Sequence, residues 1–520
     1  MSEIETQFES VTPWMDGTRR FEAAQTTRLN SAHWRYAQDE SVNDWLSLEL
    51  PTLRARAHYE TRQNGMLAGV VNTHADDIVG QDGPTLQVLS DNDAYNEALE
   101  RVWRQWFAAP TPDPDVGGAE LLRGWILSLW KCGEYLSQIV TDPMAEGDVS
   151  LRIMPRHPRN LYTPSDFIGD PNVFMGIRYN RLKRPTQYYI FDEPVNGISW
   201  TMQFEVVPAD LIIHRFIREE TGQRRGVPWC NVALTPAADL RDYDDQVQDA
   251  ARQIADQNGM LYTDRDDVPT HQAPESTDIS RRTWKTAPPG WKPFVYRAVQ
   301  PPVQYPEYRS ERQRDYGRHR GMSLATIRKD FSRYNYSSAR LETQGEQRTI
   351  AALQSWISGT PHNTGDLNRL VDLIAAEARF TVPELRNRPE RVTYEWTWPQ
   401  RPHVDPVKEE NADGTALQNQ TTTLIDVLSK RGVDIEQHLA KIKRVKDAYE
   451  KAGLDLPQWA TPEQAVRSIT DQVLDELRDG DLSELVADMT ERQGATGGGD
   501  GNIRELIGSV VEDMQANQVT

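Results

Sequence analysis

The chain has 520 residues and a formal net charge of −20 at pH 7; 38% of its residues are hydrophobic and 26% are charged. This composition is too apolar for general disorder, yet a mean hydropathy of −0.68 is polar for a compact enzyme and indicates much wetted or intersubunit surface. The negative charge argues against a protein that simply wraps nucleic acid, because such binding needs clustered Lys and Arg.

The cysteines and the apolar runs predict a soluble protein that is made inside a cell. Cys132 and Cys230 form no CxxC motif, so a reducing compartment is expected. The N-terminus lacks the basic and apolar blocks of a signal peptide. Apolar runs such as residues 125–130 are too short to span a bilayer, so no membrane partner is expected.

In chain order, helices come first and strands follow. Apolar residues spaced among charged ones predict helices over 43–80 and 94–107, and a third from Glu120 that leads into a strand near 136–141. Short apolar runs between Pro, Gly and Asp predict strands from 149 to 217. Four tryptophans of these helices are expected to be core or interface anchors: Trp103, Trp106, Trp125 and Trp130.

A longer helix is predicted over 236–257, with two different faces. Its apolar face consists of Leu240, Tyr243, Val247, Ala251 and Ile254. Another face carries four carboxylates, here called the acidic stripe: Asp242, Asp245, Asp249 and Asp256. A solvated helix face is the simplest interpretation of the stripe. Clustered carboxylates can also hold Mg²⁺, so a metal-dependent nuclease that uses Asp242 and Asp245 is an alternative function.

The next part of the chain is strand-like over 258–303. A highly charged helix is predicted after it, over 307–320. The stretch RKDFSRYNYSSARLETQGEQR at 328–348 then places aromatic residues among cations and leads into a polar helix. It lies in the most basic part of the chain, because residues 304–350 hold ten basic and six acidic side chains. Ser337 and Ser338 are suitable N-cap residues for a helix that begins near Ala339.

In the C-terminal part, the residues of RVTYEWTWP (391–399) alternate in the pattern of a strand. Helix is predicted from 406 on. Residues 451–520 are strongly acidic, with five basic and fourteen acidic side chains.

The motifs of common enzymes are missing from the sequence. It contains no Gly-Lys dipeptide and hence no Walker A loop. Its ten histidines form no HExxH motif and no Cys/His cluster at zinc spacing. We therefore predict no enzymatic activity and no cofactor.

Four segments carry a family resemblance: LRARAHYETRQNGMLAGVVNTHADDIVG (53–80), VVPADLIIHRFIREETGQRRGVPW (206–229), DFSRYNYSSAR (330–340) and WTWPQRPHVDPVKEENA (396–412). In this order they resemble the portal proteins of tailed bacteriophages, in particular the lambda-type family. The family's H-x-F … G-Q-x-R-G-V-P pattern falls on His214, Phe216, Gly222, Gln223, Arg225, Gly226, Val227 and Pro228. Phe331 departs from the usual tyrosine, and the segment after about 460 matches nothing in the family.

The resemblance implies an α+β, mainly helical portal fold with a wing, a two-helix stem, a clip and a crown, assembled into a ring that is usually dodecameric. On that division the chain comprises an N-terminal arm (1–30), a wing or body (31–235), a stem helix (236–257), a clip (258–303), a second stem helix (304–322), a tunnel loop (323–338), a long helix and wing return (339–404), a helical crown (405–492) and a low-complexity tail (493–520).

The resemblance also implies a function. A portal ring forms the channel at one capsid vertex through which double-stranded DNA is packaged and ejected. The implied partners are further copies of the chain, double-stranded DNA, the terminase large subunit, head–tail neck or adaptor proteins, and the major capsid and scaffold proteins. The implied location is the portal vertex of the virion, after synthesis in the host cytoplasm. A head adaptor or scaffold protein without a channel is a second alternative.

Three sets of residues follow from this implied function. The tunnel loop is expected to touch DNA through Arg328, Lys329, Arg333, Tyr334, Asn335 and Tyr336. The acidic stripe is expected either to line the channel, where it repels phosphate, or to face bulk solvent. In the clip, Arg265 and Trp284 are expected to contact the packaging motor.

Overall fold

A computed structural model describes residues 39–191, 203–256, 260–262, 292–294, 305–332, 334–360, 363–399, 406–424, 427–428 and 435–452, together with residues 32, 35 and 37. The chain divides into two compact units, Met1–Ile435 and Glu436–Thr520. The first unit contains helices and antiparallel sheets, so the predicted mixture of α and β structure is confirmed. Among the described helices, none is both long enough and apolar enough to cross a bilayer.

The described helices are α1 (Val42–Gln63), α2 (Gly65–Val79), α3 (Asp93–Ala108), α4 (Gly118–Cys132), α5 (Asn231–Asp256), α6 (Tyr305–Arg318), α7 (Leu324–Arg328), α8 (Tyr336–Ser358), α9 (Asp366–Ala378), α10 (Pro406–Gln418) and α11 (Ile435–Ala452). The described strands are β1 (Thr85–Leu89), β2 (Tyr135–Thr141), β3 (Leu151–Arg156), β4 (Val173–Phe174), β5 (Ile177–Tyr179), β6 (Pro185–Phe191), β7 (Phe204–Pro208), β8 (Ile212–Arg215), β9 (Met260–Tyr262), β10 (Lys292–Phe294), β11 (Gly359–Thr360), β12 (Asn363–Thr364) and β13 (Thr393–Thr397).

The helix predicted over 43–80 is confirmed, and it is divided into the pair α1 and α2 by a break at Asn64. Asn64 has an extended backbone, with ψ 104°, and its side-chain oxygen accepts hydrogen bonds from the N–H groups of Met66 and Leu67 at 3.1 and 3.2 Å. An asparagine in this position caps the N-terminus of the second helix. Apolar periodicity is similar on both sides of the break, so it did not reveal the cap.

The main core lies where α2, α3, α4 and α9 pack together and against β2. All four predicted anchor tryptophans are buried there, which confirms their core role. The indole N–H of Trp106 donates to Leu151 O at 2.8 Å, and that of Trp125 donates to Ser137 Oγ at 2.9 Å. The predicted C-terminal strand is β13, which pairs with β1 and brings Trp396 edge-on to Trp103, with ring centres 5.1 Å apart.

Two larger antiparallel sheets follow the helices. One has the strand order β3-β2-β8 and contributes to the main core. The other has the order β4-β5-β6-β7 and covers a smaller apolar cluster that includes Ile177, Tyr188 and Val207. The strands predicted between 149 and 217 are therefore confirmed as a group. β9 and β10, in the segment predicted to be strand-like, pair with each other.

Two helix boundaries differ from the predictions. α5 begins at Asn231, before the proline expected to start it, and Pro236 lies inside the helix. The segment 323–338 is not a continuous loop, because α7 occupies residues 324–328 and α8 begins at Tyr336. The C-terminal region contains α10 and α11 where helix was predicted, and the residues after 452 lie outside the described ones.

Candidate functional site

The connection between α7 and α8 is fixed at its N-terminal end by buried polar contacts. Ser323 caps α7, because its hydroxyl accepts from the N–H of Thr326 at 3.1 Å. The hydroxyl of Thr326 donates to the Glu346 carboxylate of α8 at 2.8 Å. Lys329 ends α7 in a left-handed conformation, with φ 51°. α7 is therefore tied to α8 by a buried hydrogen bond on the N-terminal side of the connection.

The six residues predicted for the tunnel loop do not have equal access to a ligand. Arg328 donates to Ser310 Oγ on α6 at 3.0 Å and lies 3.8 Å from Asp330, so its charge is largely engaged within the chain. Lys329 is exposed and extends the basic surface. Tyr334 is half-buried, and burial together with the nearby Glu342 carboxylate raises its pKa.

The start of α8 corrects the predicted cap. Asn335 is the N-cap residue, because its side-chain oxygen accepts from the N–H of Ser338 at 2.8 Å, and the helix begins at Tyr336 rather than near Ala339. Asparagine is at least as good an N-cap as serine, so sequence preference alone did not separate the candidates. Arg333 and the side chain of Tyr336 lie outside the described residues.

Apolar side chains stand exposed on both sides of this cap. Phe331 is 53% exposed in the loop, and Leu341 is 69% exposed in the second turn of α8. Arg340 and Glu342 beside it are exposed as well. Within the part of the chain that the structure describes, these side chains in the first turns of α8 remain exposed, as their polar sequence predicted.

Helices α5 and α6 pack side by side through aromatic rings and an ion pair. Tyr243 of α5 stacks on Tyr305 and contacts Tyr308 of α6, with ring centres 6.0 and 5.0 Å apart. Asp244 accepts a hydrogen bond from the Tyr305 hydroxyl at 2.7 Å and lies 3.4 Å from the guanidinium of Arg309. These contacts orient one face of α5 toward α6.

Three residues of the acidic stripe, Asp242, Asp245 and Asp249, lie on a face of α5 other than the one that makes those contacts. Asp242, Asp245 and Asp249 are exposed, and Asp249 makes a surface ion pair with Arg252 at 3.2 Å. The side chain of Asp256, like Arg265 and Trp284, lies outside the described residues. Among the described residues, no third side chain joins Asp242 and Asp245 in a group that could hold a metal ion. The geometry therefore gives the nuclease alternative no support.

The portal-like motif His214–Pro228 has a buried structural role. Glu134, which is fully buried, accepts hydrogen bonds from Arg225 Nε at 2.9 Å, from the N–H of Gly226 at 2.9 Å and from His214 Nε2 at 3.1 Å. Arg54 of α1 donates to the same carboxylate. This network joins α1, the start of β2, β8 and the segment that leads into α5.

The charges in this network offset one another in part, because one carboxylate faces two guanidiniums. Burial alone would raise the pKa of Glu134, but Arg225 and Arg54, with the hydrogen bond from His214, hold it well below its usual range. Burial lowers the pKa of His214 despite its contact with the carboxylate. The two guanidiniums share this carboxylate, and each also donates to a backbone carbonyl, Arg54 to Pro158 O and Arg225 to Met175 O, which lowers the cost of burying them.

The two glycines of this site are required by backbone contact. A Cβ on Gly226 would lie 2.0 Å from the carbonyl oxygen of Gly133, and a Cβ on Gly133 would lie 2.3 Å from the carbonyl carbon of Val227. Gly133 also has φ +82°, which favours glycine. Sequence reasoning identified the motif but missed Glu134 and Arg54. The one available signal was a charged residue, Glu134, between an apolar helix and an apolar strand.

Comparison with known proteins gives a consistent assignment. The sequence matches the family described as phage portal protein, lambda family, over residues 27–354. A protein named probable portal protein, from Halomonas phage phiHAP-1, is 20% identical over 476 residues, covering 85% of this chain and 88% of that protein.

The solved structures that match the chain do so with low sequence identity and TM-scores below 0.5. A chain from the neck of a native gene transfer agent particle, computed with C12 symmetry, is 12% identical, with a TM-score of 0.42 over 74% of this chain and 94% of that one. An HK97 family phage portal protein from Corynebacterium diphtheriae is 12% identical, with a TM-score of 0.29 over 68% of this chain and 96% of that one.

Proposed function

The chain belongs to the lambda family of phage portal proteins, and we propose that it assembles into a ring whose α5 helices line a DNA channel. In this proposal α5 and α6 are the two stem helices, the segment 258–303 is the clip, the connection after α7 is the tunnel loop and residues from 405 on form the crown. The ring has cyclic symmetry, usually with twelve copies, and provides the route for packaging and ejection of double-stranded DNA.

The observation that carries this proposal is the division of α5 into two faces. Tyr243 and Asp244 face α6, whereas Asp242, Asp245 and Asp249 of the acidic stripe lie on another face and are exposed. Repeated around a ring, the stripe gives stacked circles of negative charge. Repulsion from such circles reaches about one Debye length, roughly 8–10 Å at ordinary salt. A duplex held off the wall in this way slides without adhering to it.

The connection between α7 and α8 supplies a local exception to that repulsion. Lys329 is exposed, Phe331 is 53% exposed, and Arg333 adds a second cation in the sequence. A cation attracts phosphate, and an aromatic ring gives a flat apolar contact. We propose that this loop touches the DNA, or the same loop of a neighbouring copy, while the rest of the channel does not.

The polar first turns of α8 support assembly. Leu341 is 69% exposed in the single chain, next to exposed polar neighbours. In a ring, a neighbouring copy buries these side chains. The proposed partners are accordingly other copies of the chain, DNA, the terminase large subunit at the clip, neck or adaptor proteins after packaging, and the capsid and scaffold proteins of the head. The proposed location is the portal vertex of the virion.

A packaging assay tests this function. Heads assembled with the chain should protect DNA from added nuclease in the presence of terminase and ATP, whereas heads assembled without it should protect none. Equal protection in both preparations would exclude a portal role. Magnesium-dependent DNA cleavage by the purified chain that is lost in Asp242→Asn/Asp245→Asn would instead support the nuclease alternative.

A further inference from the structure

Folding brings together three potential metal ligands that are far apart in the sequence. His58 lies on α1, Cys132 is the last residue of α4, and His157 follows β3 directly. One ligand atom from each lies within 4.8 Å of the others. The sequence showed no Cys/His cluster at zinc spacing, because the ligands come from three separate elements.

The geometry points to a binding site for one thiophilic metal ion of the zinc(II) class, held by the Cys132 thiolate and the two imidazoles. The Cys132 sulfur lies 3.5 Å from His58 Nε2 and 3.9 Å from His157 Nε2. A tetrahedral zinc with Zn–S of about 2.3 Å and Zn–N of about 2.0–2.1 Å separates a sulfur and a nitrogen ligand by about 3.5 Å. The two observed separations agree with that value to within a few tenths of an ångström.

Burial of the three ligands fits a site that ions can enter. Cys132 is buried, while His58 and His157 are half-buried, so their rings form the solvent side of the cluster. A fourth position is left for water or an anion, as in zinc sites with three protein ligands. A bound ion would join α1 to the end of α4 and to β3, directly beside the Arg54–Glu134 contact. The site would therefore strengthen the attachment of α1.

One hydrogen bond opposes coordination and must be given up. The N–H of Arg159 donates to His157 Nδ1 at 3.1 Å, so the neutral ring carries its proton on Nε2, the atom that faces the sulfur. Metal binding through Nε2 requires that proton to move to Nδ1, and this move breaks the hydrogen bond from the N–H of Arg159. The free energy lost with this one hydrogen bond is small beside the binding free energy of structural zinc sites built from thiolate and imidazole.

The positive side chains around the site also affect which metal ions it binds. Arg62, Arg159 and Arg54 lie close enough to act on both histidines, and Lys131 acts on His58. Positive neighbours disfavour a second positive charge, so only ions that require the thiolate should bind well. Hard ions such as Mg²⁺ and Ca²⁺, which prefer oxygen ligands, should not bind here.

The test uses the full chain without a histidine tag, stripped of metal by chelation and kept reduced. Titration with cobalt(II) should produce a thiolate-to-cobalt charge-transfer band that saturates at one ion per chain and disappears when zinc is added. Cys132→Ser should abolish the band, and both Cys132→Ser and His58→Gln should weaken zinc binding by at least the roughly 10- to 100-fold that loss of an outer-shell partner costs. Cys230→Ser, which removes the other buried cysteine, should change neither result.

Two results would overturn the site. The first is the absence of a charge-transfer band in the wild-type chain. The second is zinc binding by Cys132→Ser, or by His58→Gln, that equals the wild type. Circular dichroism of each variant establishes that it is folded, and His58→Gln serves as the decisive variant if Cys132→Ser does not fold.

Discussion

Replacing Glu134 with glutamine tests the buried network most sharply. Glutamine has nearly the same shape and keeps one acceptor, but it removes the carboxylate that pairs with Arg225, Arg54 and His214 in the described part of the chain. The guanidinium of Arg225 is fully buried and that of Arg54 nearly so. The variant therefore holds two buried cations without a counter-charge.

The size of the effect follows from that burial. Removing one partner of a buried ion pair typically costs about 3–5 kcal/mol, because the remaining charge stays desolvated. A matched control is Asp76→Asn, which breaks the Arg123–Asp76 pair at 2.6 Å. That pair is exposed, with 36% and 61% of the two side chains accessible. Its loss should cost at most about 1 kcal/mol.

Urea unfolding at pH 7, with both variants and the wild type at the same protein concentration, measures the two costs. The expected result is a large fall in the unfolding midpoint for Glu134→Gln and a small one for Asp76→Asn. If Glu134→Gln lowers the free energy of unfolding by no more than the control does, the network does not stabilise the fold in the way described.

Lowering the pH provides a second test of the Glu134 network. Folding lowers the pKa of Glu134 well below its ordinary value of 4.5. A carboxylate with a lowered pKa stabilises the fold above its unfolded pKa and loses that contribution as the pH falls toward its folded pKa. The stability difference between wild type and Glu134→Gln should therefore shrink below about pH 4.5. A difference that stays constant from pH 7 to pH 3 would contradict the assigned cause.

Three further predictions concern the proposed channel and the motor. Changing the acidic stripe to asparagine should leave the assembly intact but slow DNA translocation, most of all at low salt, where repulsion reaches furthest; a wild-type packaging rate at every salt concentration would refute the role of the stripe. Changing Lys329 and Arg333 to alanine should reduce the amount of packaged DNA that heads retain, and undiminished retention would remove the loop from the DNA path. Replacing Arg265 and Trp284 should leave the particle mass unchanged but weaken binding of the terminase large subunit; unchanged binding after replacement of all of 258–303 would locate the motor contact elsewhere.

Sequence patterns predicted those helices and strands that are specified by residues close together in the chain. The apolar stripe of α3 and the alternation of β13 depend on neighbouring residues, and both elements formed where expected. The break at Asn64 and the cap at Asn335 were missed, because several residues near each position have similar capping preferences.

Long-range contacts could not be predicted in the same way. Arg54 and Arg225 meet Glu134 across 80 and 91 residues of sequence, and no local pattern links them. The same holds for His58, Cys132 and His157, which lie near one another only after α1, α4 and β3 have packed. Family resemblance identified His214 and Arg225 as part of a motif but not the buried carboxylate that they share.

The mass of the purified assembly tests the central claim, that copies of this chain form a ring, most directly. Native mass spectrometry or mass photometry in packaging buffer should show a discrete species at roughly ten or more times the chain mass of 59.4 kDa, with about twelve copies expected for a portal ring. A preparation that contains only the 59.4 kDa monomer in that buffer would contradict the account.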